Sequence, residues 1–153
     1  MQGLEVSVVS AHDAKVPELI HALTAELADA GYTDEESFGY TAQQLERSGV
    51  HLVGAMLDGV LVGIGGIEIQ ADGCAELKRF YVAPDHRGRG VADQVMDELV
   101  QHARKYGVMR LRLETGDKQH AAMRFYARHH FAVVPRFEPY TQSATSVCMQ
   151  RAI

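Results

Sequence analysis

Four places in the chain hold residue types whose spacing could do chemistry. The first is Arg87-Gly88-Arg89-Gly90-Val91-Ala92, which joins a β-like run to an amphipathic helix-like run. Glycines at such a turn let backbone N–H groups point outward with no Cβ in the way. The first amides of a helix lack internal partners and stand at the positive end of its dipole. The segment is therefore a candidate cradle for a phosphate or pyrophosphate, with Arg87 and Arg89 adding charge. The bland alternative is a turn with solvated arginines. Glu76 and Glu114 place carboxylates on strand-like runs, and Tyr126 places a phenol on a helix-like run, side chains of the types that exchange protons. Each has its own bland reading: Glu76 as a strand-end carboxylate paired with Lys78 or Arg79, and Tyr126 as a core aromatic beside Ala122 and Phe125.

Two rival phosphate loops fail. No Gly-Lys-Ser or Gly-Lys-Thr occurs, which removes the P-loop. Gly63-Ile64-Gly65-Gly66 opens like a dinucleotide fingerprint, but Glu68 stands where its last glycine belongs, and the run reads as strand. Eight histidines invite a metal reading, yet no HExxH or His/Cys cluster exists, and none is expected. Neither Cys74 nor Cys148 lies in a CxxC.

These groups need a scaffold, and the hydrophobic pattern supplies one. Leu4 to Val9 alternates as a first strand. Behind Asp13, a plausible N-cap, Val16, Leu19, Ile20, Leu23 and Leu27 form a helical stripe that Gly31 ends. Thr33 to Tyr40 reads as a polar, acidic loop, followed by a short helix from about Thr41 to Arg47. Val50 to Leu57 and Val60 to Gln70 flank Asp58-Gly59, a type I′ hairpin signal. A third strand runs from about Cys74 to Val82. Ala92, Val95, Met96, Leu99, Val100 and Ala103 recur at helical spacing up to Gly107. Arg110 to Glu114 is then a strand reached by a crossover helix, and so parallel to the one before it. A helix over Gln119 to His129 and strands over Phe131–Val134 and Thr145–Met149 complete the order. The expected fold is α/β (mixed α+β): one mixed, mostly antiparallel sheet of about 6–7 strands, with helices on both faces.

The chain has 153 residues, 46% hydrophobic and 23% charged, with a net charge of -5. That length and the absence of a linker predict one domain over residues 1–153. The acidic balance argues against nucleic-acid binding. No apolar run approaches the ~20 residues of a membrane helix. The N-terminus shows no signal-peptide pattern, and two scattered cysteines fit the reducing cytoplasm.

The segment from Glu76 to Phe131 resembles the GNAT superfamily of acetyl-coenzyme-A-dependent N-acetyltransferases. Arg87, Gly90 and Ala92 satisfy its [QR]-x-x-G-x-[GA] pyrophosphate motif. Phe80-Tyr81-Val82-Ala83-Pro84 matches the strand and Pro-containing loop before it. Gln119-x-x-Ala122-x-x-x-Tyr126 matches the family's Asn-x-x-Ala-x-x-x-Tyr helix, with Gln for Asn. His130-Phe131 stands for the usual Gly-Phe, so His130 is expected to alter that turn and to stand near the site.

The resemblance implies a central splay between the strands ending at Val82 and Glu114. It implies pantetheine pairing along Phe80, Tyr81 and Val82, and pyrophosphate on the amides of Arg87, Gly88, Arg89, Gly90, Val91 and Ala92. Gln119 would offer its amide to the cofactor. Glu76 would be the base, with Glu114 the second candidate. The Val82 N–H would face the developing oxyanion, and Tyr126 would protonate the leaving thiolate. The implied activity is direct acetyl transfer from acetyl-CoA to a small-molecule or peptide amine, without metal. The implied alternative is a non-catalytic acyl-CoA-binding sensor. In this fold the Asp34-Glu35-Glu36 loop often walls the acceptor site; homodimers are common, and the short C-terminal strands offer an edge for pairing.

Overall fold

The protein is described from a computed structural model covering residues 3–13 and 15–153. Three strands are antiparallel neighbours: β1 (Leu4–Val8) and β2 (His51–Leu57), joined through intervening helices, and β3 (Val60–Ile69), which follows β2 through a tight turn. The β2–β3 turn has Asp58 at φ 49° and Gly59 at φ 82°, the two positive values that a type I′ hairpin requires. β4 (Cys74–Val82) continues the antiparallel run, and β5 (Arg110–Gly116) joins it as the sheet's one parallel neighbour. β6 (Ala132–Val134) and β7 (Ser146–Ala152) close the order β1-β2-β3-β4-β5-β7-β6.

Helices cover both faces. On one, α4 (Val91–Lys105) lays Val95, Met96 and Leu99 on Val53, Ile67, Ala75 and Leu77. α5 (His120–Arg128) adds Tyr126 to the same core. A Cβ on Gly65 would stand 2.8 Å from Val95, so this glycine is what lets α4 lie close on β3. On the other face α1 (Val16–Asp29) and α3 (Ala42–Arg47) bury Val16, Ile20 and Leu45 against Leu52, Ile64 and Tyr81. Burying each such aliphatic side chain contributes roughly 1.5–3 kcal/mol.

Three local expectations need correction. The cap of α1 is Lys15, not Asp13, because Pro17 fixes the first turn; Asp13 instead accepts the Ser10 N–H on Oδ2 at 3.0 Å. The acidic segment read as loop contains a helical turn, α2 (Asp34–Ser37), started by a capping box between Thr33 and Glu36. A matching box, Thr41 with Gln44, starts α3. His130 does not disturb its turn. It takes φ 72°, the left-handed conformation a glycine would hold, and its side chain is exposed and lines no part of the cleft described below.

Candidate active site

The parallel ladder between β4 and β5 is short. Cys74, Ala75 and Glu76 pair with Arg110, Leu111 and Arg112, and there the strands part. Beyond that point β4 is paired only with β3. The Ala83 N–H donates to Val62 O at 2.8 Å, so by alternation the Val82 N–H faces the open side. A bulge helps the strands part. The register against β3 slips between Ile64 and Gly66, and Arg79 opposite takes φ 50°. The gap opens into a cleft of about 540 Å³ that runs from α2 past both strands to the start of α4.

At one end lies the glycine loop. Gly88 and Gly90 have φ 75° and 84°, and a Cβ on either would meet open space. Gly90 caps α4, and the first helical bond runs from Gln94 N–H to Gly90 O at 3.2 Å. The amides of residues 91 to 93 therefore have no intrahelical acceptor. The arginines act differently from one another. Arg87 Nε donates to Val82 O at 2.8 Å and Nη2 to Glu26 Oε1 at 2.8 Å, tying the loop to the end of β4 and to α1. Arg89 does not line the cleft, and neither does Val91, whose side chain is core. Phe80, Tyr81, Val82, Arg87, Gly88, Gly90, Ala92 and Gln119 all line it. Asp93, also at the rim, is held by His129 Nε2 at 2.7 Å and Arg128 at 3.8 Å.

In the middle of the cleft stand the titratable groups. Glu76 is only 2% exposed, and three donors hold it. Gln70 Nε2 donates to Oε1 at 3.1 Å; Lys78 Nζ at 3.0 Å and Tyr140 Oη at 2.5 Å donate to Oε2. Gln70 is fixed in turn by Arg112. The pairing of Glu76 with Lys78, its bland reading, is thus present. Glu114 has a different setting. It accepts one hydrogen bond, from Ser146 Oγ at 2.6 Å, and among the described residues no cation comes within 4.0 Å of it. Burial first, and then the nearby Glu76 charge, push its carboxyl up to about 7. Tyr126 is 8% exposed and packs edge-on with Phe80, Phe125 and Phe131. Burial, and then the Glu114 charge, raise its phenol above the ordinary range.

The far end of the cleft was legible only in part, through the acidic run Asp34-Glu35-Glu36. Glu36, Ser37, Phe38, Gly39 and Tyr40 wall it from the α2 side, and Tyr140 from the loop before β7. Tyr140 lies edge-on to Phe38 at 4.9 Å between ring centres. Glu36 belongs to the acidic run, and Tyr40 lies four residues beyond it; Tyr140 carried no sequence signal.

The family model for the acetyltransferase (GNAT) family matches residues 17–131. The chain belongs to the GNAT acetyltransferase family. A relative named IAA acetyltransferase, from Azospirillum brasilense, is 30% identical over 139 residues, 90% of each chain. A candidate acyl-CoA N-acyltransferase from Klebsiella pneumoniae superposes with a TM-score of 0.83 at 29% identity, over 97% of both chains. The PaiA N-acetyltransferase of Thermoplasma acidophilum, solved with coenzyme A, shares the fold with a TM-score of 0.81 at 21% identity, over 98% of this chain and 99% of that one. This GNAT chain is accordingly an acyltransferase that takes acetyl from acetyl-CoA to an amine acceptor. The unpaired edge of β4, the free amides at α4 and the open space at Gly88 and Gly90 suit coenzyme A: an extended arm ending in pyrophosphate needs a strand edge and an anion cradle. Among the described residues no three metal-ligating side chains come together, and no helix is long and apolar enough to cross a membrane.

Proposed function

We propose that this single domain, residues 1–153, transfers acetyl directly from bound acetyl-CoA to a small-molecule or peptide amine, with Glu114 as the general base. The observation that carries the reading is the parting of β4 from β5 beyond Glu76 and Arg112, with Glu114 in the cleft it opens. A primary amine near pKa 10.4 holds its neutral form at pH 7 at a cost of about 4–5 kcal/mol, so a proton acceptor is needed. A base serves best when its own pKa lies near the working pH. Glu114 meets that condition and keeps oxygen lone pairs free. Glu76, the first candidate from the resemblance, already accepts three hydrogen bonds. We assign it to holding Lys78, Tyr140 and Gln70 in place.

The acetyl donor supplies the activated thioester. Backbone amides from 88 to 93 hold its pyrophosphate, the open edge of Phe80, Tyr81 and Val82 orients its arm, and Gln119 borders it. The Val82 N–H faces the open side of β4, where a fixed donor would favour negative charge developing on the thioester carbonyl. Glu114 Oε1 takes the amine proton. No hydrogen bond among the described residues engages Tyr126 Oη, which keeps its proton toward the cleft for the leaving sulfur. Cys74 and Cys148, both unpaired and buried, support a reducing, cytoplasmic setting. The net charge of -5 supports an acceptor other than nucleic acid.

The test is thioester consumption with an amine panel beside acetyl-CoA calorimetry. Turnover with at least one amine is expected. Tight acetyl-CoA binding without turnover would instead mark a sensor module.

A further inference from the structure

Most charged side chains along the cleft are answered within the protein. Glu26 meets Arg87, Glu76 meets Lys78, and Asp93 meets His129 and Arg128. Three that line it are not: Glu36, whose Oε1 accepts the Thr33 N–H, and two groups of opposite sign on β4 and β5. Among the described residues, Glu114 has only the neutral Ser146 hydroxyl. Arg79 donates from Nε to Tyr40 O at 2.8 Å and from Nη2 to Thr24 Oγ1 at 2.8 Å, and both acceptors are neutral. No carboxylate among the described residues comes within 4.0 Å of its guanidinium. A guanidinium has five N–H donors, so three of Arg79's remain. A half-buried charge without a counter-ion is costly, and burial already makes this guanidinium harder to keep protonated than usual.

The backbone goes out of its way to place this charge. Strict alternation along β4 would send residues 78 and 79 to opposite faces. The bulge, with Arg79 at φ 50°, instead turns both toward Tyr40. Lys78 Nζ stands 4.3 Å from the centre of the Tyr40 ring, while Arg79 binds the Tyr40 carbonyl. The bulged residue is not glycine, so the conformation is held against its own strain. Glu114 lies close enough to the Glu76–Lys78 pair for both charges to act on it. Arg79, the Glu76–Lys78 pair and Glu114 all line the same cleft.

We propose that Arg79 receives a carboxylate of the acceptor, so that the acceptor is a zwitterion: a free amino acid whose amino group reaches Glu114. The assignment rests on the transferase reading above. A carboxylate would take the unused N–H donors of Arg79, and the ammonium would answer Glu114 before giving up its proton. A lysine side chain within a protein, or a plain alkylamine, would leave Arg79 unanswered.

The test uses the intact enzyme at saturating acetyl-CoA. The twenty protein amino acids are each compared with the methyl ester or the decarboxylated amine of the same side chain. Charge-assisted hydrogen bonds contribute about 1.5–3 kcal/mol, so kcat/KM for at least one amino acid should exceed its carboxylate-free partner by roughly ten- to a hundredfold. In Arg79→Gln that ratio should collapse toward one, through a higher KM for the amino acid. Arg79→Lys, which keeps the charge, should restore part of it. Carboxylate-free amines turned over as well as their amino acids, or an Arg79→Gln loss equal for both members of a pair, would overturn the proposal and leave Arg79 as a brace for the Tyr40 loop. Turnover of no amine at all, with acetyl-CoA still bound, would overturn the transferase reading itself.

Discussion

Replacing Glu114 by Gln should make the enzyme slower and the fold more stable. The buried carboxyl sits at about 7 instead of its ordinary 4.5, which corresponds to about 3 kcal/mol of preference for the neutral form. Below the unfolded value both states hold the proton, and the group costs nothing. As pH rises from 4.5 toward 7, the unfolded chain ionises first and stability drains away; above 7 the full penalty applies. Glutamine imitates the neutral carboxyl at every pH. Glu114→Gln should therefore gain about 3 kcal/mol over the ligand-free wild type at pH 8, or roughly 6–12 °C in Tm, and almost nothing at pH 4. Acetyl transfer in a single turnover at pH 7.5 should fall by about 10²–10⁴-fold, the usual contribution of a general base. The wild-type rate should also bend near pH 7, and that bend should vanish in the variant. Glu76→Gln provides the contrast. It strips the partner from buried Lys78 and should destabilise by about 3 kcal/mol, since breaking one side of a buried pair leaves a bare charge. Wild-type single-turnover rates in Glu114→Gln, or no rise in Tm at pH 8, would refute the reasoning.

Gly90→Val should cost most of the acetyl-CoA affinity measured by calorimetry, with circular dichroism unchanged; the branched side chain fills open space before the α4 amides and is strained at φ 84°. Tyr126→Phe keeps the packing with Phe80, Phe125 and Phe131 and should lower the single-turnover rate at least tenfold without altering the acetyl-CoA Kd, given about 10²–10⁴ for general acid catalysis. Ser146→Ala removes the hydrogen bond that favours ionised Glu114, so the bend in the pH–rate profile should move to higher pH, while Ser146→Thr should hold it near the wild-type position. His51 and His102 stack with ring centres 3.3 Å apart, and burial holds both below the ordinary imidazole value. The unfolded chain therefore takes up protons first, and urea titrations should show stability falling as pH drops below about 6.5. His102→Leu should flatten that dependence.

The amino-acid sequence by itself determined the order and type of nearly every element. Asp58-Gly59 specified a hairpin because only a few residues accept two consecutive positive φ angles. The stripe from Ala92 to Ala103 specified α4, and Gly88 and Gly90 specified the open loop at its start, because helical period and glycine conformation are local properties. The turn α2 was legible too, in Thr33 and Glu36 three residues apart, and was missed only because the acidic run reads as loop. Which carboxylate is free was not legible. Glu76 and Glu114 are alike along the chain, and they differ because Tyr140, 64 residues from Glu76, folds back onto it while a neutral Ser146 meets Glu114. Nor could strand alternation give the direction of Arg79, which follows from a bulge set by the register of β4 against β3. Local pattern fixes what each segment becomes; the charge state of a side chain depends on burial and on partners from distant segments, and only the assembled sheet brings those together.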